Sequence, residues 1–450
     1  MSVGAFFNSV NSFITDYILT AILIITGLFL TVKTDFIQLR CLKEGLKNTF
    51  SGLFSKEKKD GISPFAALCT SLAAQLGTGN IVGAGSAILT GGPGAVFWIW
   101  LSSFFGMATA YCEGYFAQKT KKALPCGEFL GGAAFYIQTA FSRKTGKFLA
   151  GAFSFFSLTA LGFTGVAVQS NSISAAVKEG FSVPAYISGI LITIFAAAVI
   201  RGGTKKIAAF SEKTVPLLTA LYFAVCLAVL FLNIEKIPEA LLLILKTAFS
   251  TSALKGAING ITLKTIISQG IKRGLFTNEA GMGSCASAHA ITNAPTPHFQ
   301  GTLAIAGVFT DTFVMMTLTA LCIITVLFTG NTDIKNITSG SQAVVAAFSA
   351  AAGQKGAAVF TCISVIFFAF ASITGWNLSG KNSCIYLFGE KSEGIYTAAS
   401  LMFVFLGTVF PSSFIWSLTD FFNTFMVLIN TPALIKLSSK THFSTKSAIK

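Results

Sequence analysis

The sequence predicts an all-α protein that crosses a membrane many times, and three observations carry that reading. Of its 450 residues, 53% are hydrophobic and 11% charged, with a mean hydropathy of +0.72. A soluble domain carries about a quarter charged residues. The apolar runs are about twenty residues long, enough for a helix to cross a hydrocarbon core and about twice the alternating segments of an outer-membrane barrel. Basic residues gather in alternate loops, the bias that sets orientation in helical membrane proteins.

Taken in order, the apolar runs give about eleven spans, near 13–32, 63–90, 94–118, 147–176, 184–200, 214–233, 262–288, 300–329, 356–380, 395–415 and 417–436. The first lacks a basic leader and a small-residue cleavage site, so it reads as a retained helix and not a signal peptide. "PEALLLILKTAF" (238–249) and "SQAVVAAFSAAA" (341–352) are too short or too polar to cross and are expected at the interface. Lys and Arg crowd the loop after span one, the segments "QKTKKALPCGEF" and "RGGTKKIAAFSEK", and the C-terminal tail, whereas "TGGPG" and "FPSS" have none. That alternation places the N-terminus outside and the C-terminus in the cytoplasm of a cell whose plasma membrane holds the protein. Loop 289–300, with two histidines and no Lys or Arg, is the exception.

Composition also excludes. The net charge of +15 is spread between spans and is not interleaved with exposed aromatics, so nucleic-acid binding is not expected. Nine scattered cysteines, with no C-x-x-C pair, read as small packing residues and not as a disulfide framework or metal cluster. No nucleophile elbow, HExxH or nucleotide-binding motif is present, and "GTGN" lacks the GK[ST] of a phosphate loop. The protein is not expected to be an enzyme. Asn336-Ile337-Thr338 matches the glycosylation sequon as a short chance match.

Two spans carry the chemistry. Span two is interrupted by "QLGTGN" and span seven, five spans later, by "NEAGMGS" at 278–284. An odd shift of five reverses orientation, so the pair marks a five-plus-five inverted repeat standing after one extra helix. The division is residues 1–62 for the first helix and basic loop, 63–233 and 234–436 for the two repeats, and 437–450 for the tail. A broken helix frees N–H groups for a carboxylate and carbonyls for a cation, and is tolerated only beside protein or water. Gly77 and Gly79 let the backbone open, while Thr78 and Asn80 add side-chain contacts. The competing reading is helix packing through Gly79-x-x-x-Gly83.

Acidic residues at depth are functional candidates: Glu279 at the second break, Glu113 in span three and Asp311 in span eight. Each could hold structure or gate as well as ligate. Gln169 and Asn171, in "VQSNSIS", line an access path or stitch helices together. In "FFAFASITGWN", Ser372 and Thr374 offer hard oxygens to Na⁺, and Trp376 could cap a small pocket.

At these residues the chain resembles the alanine or glycine:cation symporter family, the sodium:alanine symporters. "TGLFLTVKTDFIQLR", "GTGNIVG", "GGPGAVFWIWLSSFFGMATAYCE", "GIKRGLFTNEAGMGSCASAHA", "GVFTDTFVMMTLTALCI" and "FFAFASITGWN" carry the resemblance. It implies a leucine-transporter-like fold after the extra helix, and uptake of a small neutral amino acid driven by Na⁺ and sometimes H⁺. No cofactor is implied. The substrate set implied is Gly77, Thr78, Gly79, Asn80, Phe276, Gly281, Met282 and Trp376, with Phe163 as a pocket wall. The sodium set is Ala74, Gly77, Ala371 and Ser372. The chain departs from the family pattern at "GGAAFYIQ", at Ala371-Ser372-Ile373-Thr374 and at "INTPALIKL". The rival expectations are a passive facilitator or channel and an amino-acid sensor that does not transport.

Overall fold

The computed structural model describes residues 18–54, 62–124, 128–250, 262–330 and 334–443. The start of the first predicted span, Cys126 and the last tail residues lie outside the described residues. Helix α1 (Thr20–Lys33) leads through α2 (Ile37–Arg40) into α3 (Leu42–Phe54). Then come α4 (Pro64–Gln75), α5 (Gly79–Gly91) and α6 (Ala95–Thr120). A two-stranded antiparallel ribbon, β1 (Lys122–Ala123) and β2 (Phe129–Leu130), precedes α7 (Ala133–Ala140) and α8 (Arg143–Phe181). Helices α9 (Ala185–Ile200), α10 (Gly203–Leu232) and α11 (Ile237–Ala248) follow. After α12 (Leu263–Asn278) and α13 (Cys285–Ala290) come α14 (Pro297–Phe328), α15 (Gly340–Phe388), α16 (Glu393–Val409) and α17 (Ser412–Ser439).

Among the described residues seven helices are long and apolar enough to cross a bilayer, or eight when the bent pair α4–α5 counts as one span. That is fewer than the eleven apolar runs, for identifiable reasons. α1 and α9 are described over only 14 and 16 residues. α12–α13 is interrupted and carries Lys264, Lys272 and Arg273. The coarser expectation, a helical protein that passes the membrane several times, stands. Its exterior fits: Phe195, Leu217, Phe231 and Met402 are exposed, as a surface facing lipid tails requires.

Polar residues sit inside instead. Glu113, Glu279, Asp311, Asn278 and Asn430 are all buried, and hydrocarbon would penalise each unless it found a partner. The helices also depart from regular winding where these groups lie. Wide i→i+5 turns run through Gly79–Gly83, Leu158–Gly165, Phe309–Met316 and Ile324–Phe328, and such widenings recur at functional sites. The segment at 341–352 is helical and joins the ninth run across a non-helical Gly353. The segment at 238–249 forms α11, whose last carbonyl, Ala248, accepts from Trp98 Nε1 at 3.0 Å.

Candidate functional site

The site is built around the first break. Ser63 caps α4 by accepting the Ala66 N–H at 2.9 Å, with Pro64 in the first turn, where it loses no helical hydrogen bond. Eleven residues on, the helix stops at Gln75. Gly77 N–H turns back to the Gln75 carbonyl at 2.8 Å, and Gly83 N–H reaches the Thr78 carbonyl at 3.0 Å, closing a wide turn. The two halves meet at 49°. A Cβ on Gly77 would lie 2.6 Å from Ser372 Oγ and 3.1 Å from Gln169 Nε2. Glycine is therefore needed here for close approach.

Oxygen dominates this break. Ser372 Oγ lies 2.8 Å from the Ala73 carbonyl, 3.2 Å from that of Ala74 and 3.2 Å from that of Phe368. One hydroxyl has one proton to donate, so three acceptors around it leave negative potential unanswered. Thr78 Oγ1, Asn80 Oδ1, Gln75 Oε1 and Gln169 Oε1 are buried without any partner. Thr78, Asn80 and Gln169 are 2%, 3% and 1% exposed. Asn80 is held in that pose. Its Nδ2 donates to Asp311 Oδ1 at 2.6 Å, and Asp311 Oδ2 accepts from Thr312 Oγ1 at 2.9 Å. A carboxylate can only accept, so the amide oxygen of Asn80 must face the other way. The arrangement suits a small cation and an ammonium group.

An open cavity of about 400 Å³ reaches Thr78, lined also by Val82, Gly83, Asn171, Arg273 and Trp416. Asn171 lines it while donating to the Gly407 and Phe410 carbonyls at 2.8 and 3.0 Å, so it both faces the path and ties α8 to α16. Gln169 reaches the break itself.

The second break is stitched by side chains. Glu279 adopts φ +57°, Gly281 +92° and Gly283 +74°, a region that costs glycine least. Glu113 Oε1 accepts from Gly281 N–H at 3.1 Å, Gly283 N–H at 2.9 Å and Asn430 Nδ2 at 2.7 Å. Glu279 accepts from Ser284 Oγ at 2.5 Å, and from Trp376 Nε1. Asn278 accepts the Ala280 N–H at 3.0 Å and donates to Ser103 at 2.8 Å. Gln75 joins the two breaks, donating to the Asn278 carbonyl at 3.1 Å.

The structure does not gather the whole sequence-derived set. Ala74, Gly77, Thr78, Asn80 and Ser372 surround the first break, and Gly79 borders it against Thr277. The Ala371 carbonyl is engaged by Thr374 Oγ1 at 2.7 Å. Phe276 sets its ring against Trp376 and Trp416, with centroids 6.4 and 5.3 Å away. Met282 instead lines a separate small cavity with Leu23 and Asn423, and Gly281 turns toward Leu23 and Thr109. Phe163 stacks on Phe403 at 4.9 Å, on the side of α16. The wall that α8 offers Trp376 is Gly165, where a Cβ would come within 2.8 Å of the indole. Sequence reasoning also passed over Asn430, which lies in an apolar final span with no glycine signal near it.

Comparison with known proteins gives the family. The profile of the Sodium:alanine symporter family matches residues 1–447. The chain is 36% identical over 445 residues to the sodium/alanine symporter AgcS of Methanococcus maripaludis, covering 98% of this chain and 96% of that one. It is 33% identical over 429 residues to the probable sodium/glutamine symporter GlnT of Bacillus subtilis, covering 95% and 87%. An uncharacterized transporter of Haemophilus influenzae is 36% identical over 440 residues, covering 97% and 94%. Transporters, not enzymes, surround it. The chain belongs to the sodium:alanine symporter family and is a multi-pass membrane protein of cation-coupled amino-acid symport.

Proposed function

We propose that the protein imports a small neutral amino acid, alanine or glycine, together with Na⁺ by alternating access. The observation that carries this reading is the donor-poor first break. Its carbonyls and unpaired amide and hydroxyl oxygens gather beside Thr78, which lines an open cavity. Na⁺ takes hard oxygens, and an ammonium supplies three donors. Ala74, Gly77 and Ser372 are the proposed sodium ligands, with Ala371 alongside. Thr78 and Asn80 hold the substrate, Gly77 and Gly79 admit it, and Phe276 and Trp376 bound its side chain. Arg273, whose Nε is buried without a partner, lends the outer cavity a charge that favours carboxylates. The eleven spans, the leucine-transporter-like repeats at 63–233 and 234–436 and the outside N-terminus belong to the same proposal. So does a protonmotive contribution.

Coupling requires that each ligand raise the other's affinity by the same factor. The test is counterflow into proteoliposomes with a panel of alanine, glycine, serine and glutamine, in sodium or choline buffer at two pH values. Alanine or glycine exchange that depends on sodium is expected, with Asn80→Ala weakening substrate affinity about tenfold or more while expression holds. Flux that follows the amino-acid gradient alone would make the protein a facilitator. Binding without counterflow would make it a sensor.

A further inference from the structure

We infer that Cys41, Glu44 and His298 form a binding site for a zinc-type divalent cation, at the end of the bundle where the first basic loop lies. Cys41 and Glu44 are neighbours in sequence, His298 comes from a distant part of the chain, and the three ligating atoms lie within 4.8 Å of one another. Cys41 ends α2, Glu44 sits in the first turn of α3, and His298 stands in the first turn of α14.

The placement is enforced by packing. α3 presses so closely on α14 that a Cβ on Gly45 would strike the Thr302 carbonyl, and Asn48 Nδ2 donates to Thr302 Oγ1 at 3.4 Å. That contact fixes Glu44 beside His298. The imidazole is oriented as a ligand would be: Nδ1 bonds the buried Tyr111 hydroxyl at 2.9 Å. A hydrogen bond on one ring nitrogen sets which face the other presents to a metal. The other nitrogen, Nε2, is buried without a hydrogen-bond partner and lies 3.5 Å from Glu44 Oε2, on a residue only 6% exposed. Cys41 is 3% exposed, whereas the Glu44 side chain is 47% exposed, leaving an aqueous approach from one side.

The donor set selects the ion. A thiolate with an imidazole and one carboxylate suits Zn²⁺ in a tetrahedral site whose fourth position holds water, and suits Mg²⁺ and Ca²⁺ poorly. Burial, reinforced by Glu44, raises the Cys41 thiol above its ordinary range. A dication reverses that preference by binding the thiolate, so its binding releases a proton.

The experiment uses the purified full chain in detergent with any affinity tag removed, titrated with Co²⁺ as a spectroscopic stand-in for Zn²⁺. A thiolate-to-cobalt charge-transfer band saturating at one equivalent, displaced by Zn²⁺ and not by Mg²⁺, is expected. Cys41→Ser should abolish the band, and His298→Ala should weaken metal affinity by about a hundredfold. Tyr111→Phe should weaken it roughly tenfold by freeing the ring. Metal-free melting temperatures of all variants check that each folds, and Zn²⁺ should raise the melting temperature of the wild type but not of Cys41→Ser. No band in the wild type, or the same titration in Cys41→Ser, overturns the site.

Discussion

The two helix breaks share glycines and a position five runs apart, yet the side chains around them are partnered differently. At the first, between Gln75 and Gly79, buried oxygens of Gln75, Thr78, Asn80 and Gln169 lack donors. At the second, Glu113 accepts the N–H groups of Gly281 and Gly283, Asn278 accepts that of Ala280, and Asn430 donates to Glu113 and to the Gly281 carbonyl. A break completed by its own protein is a fixed joint. One left short of donors matches the proposed reading, in which an arriving cation or ammonium group supplies them. The sequence presents the two as equals, whereas the structure leaves four such oxygens at the first and one, Glu113 Oε2, at the second.

The largest effect should come from removing the brace. Glu113→Ala leaves two backbone N–H groups and the Asn430 amide without their acceptor, each orphan costing about 1–3 kcal/mol. Thermal unfolding in detergent should show a loss of several degrees, with Glu113→Gln intermediate because it keeps one acceptor. If Glu113→Ala melted like the wild type but lost substrate binding, the second break would be a ligand site and the contrast would reverse.

Much of this was legible in the residues. Glycine pairs beside Thr, Asn and Glu in apolar runs mark both breaks, because the backbone cannot be opened cheaply in any other way. Hydroxyls at Ser372 and Thr374 announce an oxygen-rich helix face. What spacing could not reveal is which oxygens stay free. Asp311 occupies the Asn80 amide from 231 residues away, and Asn430 reaches Glu113 across 317. The described cysteines are buried and free, as packing residues are, and spacing could not show which of them lies near a histidine. Cys41 meets His298 only after α3 folds onto α14. Spacing also could not show that, within the wide turn at Leu158–Gly165, Phe163 stacks on α16 while Gly165 lies against the indole.

A middle-sized effect should sharpen the receptive side. Ser372→Ala removes the one hydroxyl among the Ala73, Ala74 and Phe368 carbonyls without touching the second break. The half-saturating Na⁺ concentration for alanine uptake should rise about tenfold, the equivalent of roughly 1.4 kcal/mol, a typical hydrogen-bond contribution. The melting temperature should barely move. An unchanged sodium dependence would take Ser372 out of the cation site and leave the free amide oxygens to hold the ion.

The smallest effect is the most discriminating between opening and packing. If the first break were a helix-packing motif, Gly79 and Gly83 would both lie against a neighbouring helix, and alanine at either would push it away. A Cβ on Gly79 would lie 3.0 Å from Thr277 Oγ1, but one on Gly83 meets only the Thr78 carbonyl, at 3.9 Å. Gly83 borders the open cavity instead. Gly83→Ala should therefore change stability by less than about 0.5 kcal/mol and leave sodium-driven uptake near the wild-type rate. Gly79→Ala should slow uptake several-fold, since Thr277 must give way on the braced helix opposite. Equal damage from both substitutions would restore the packing reading, and the absence of side chains at the first break would then be about helix contact and not about ligand.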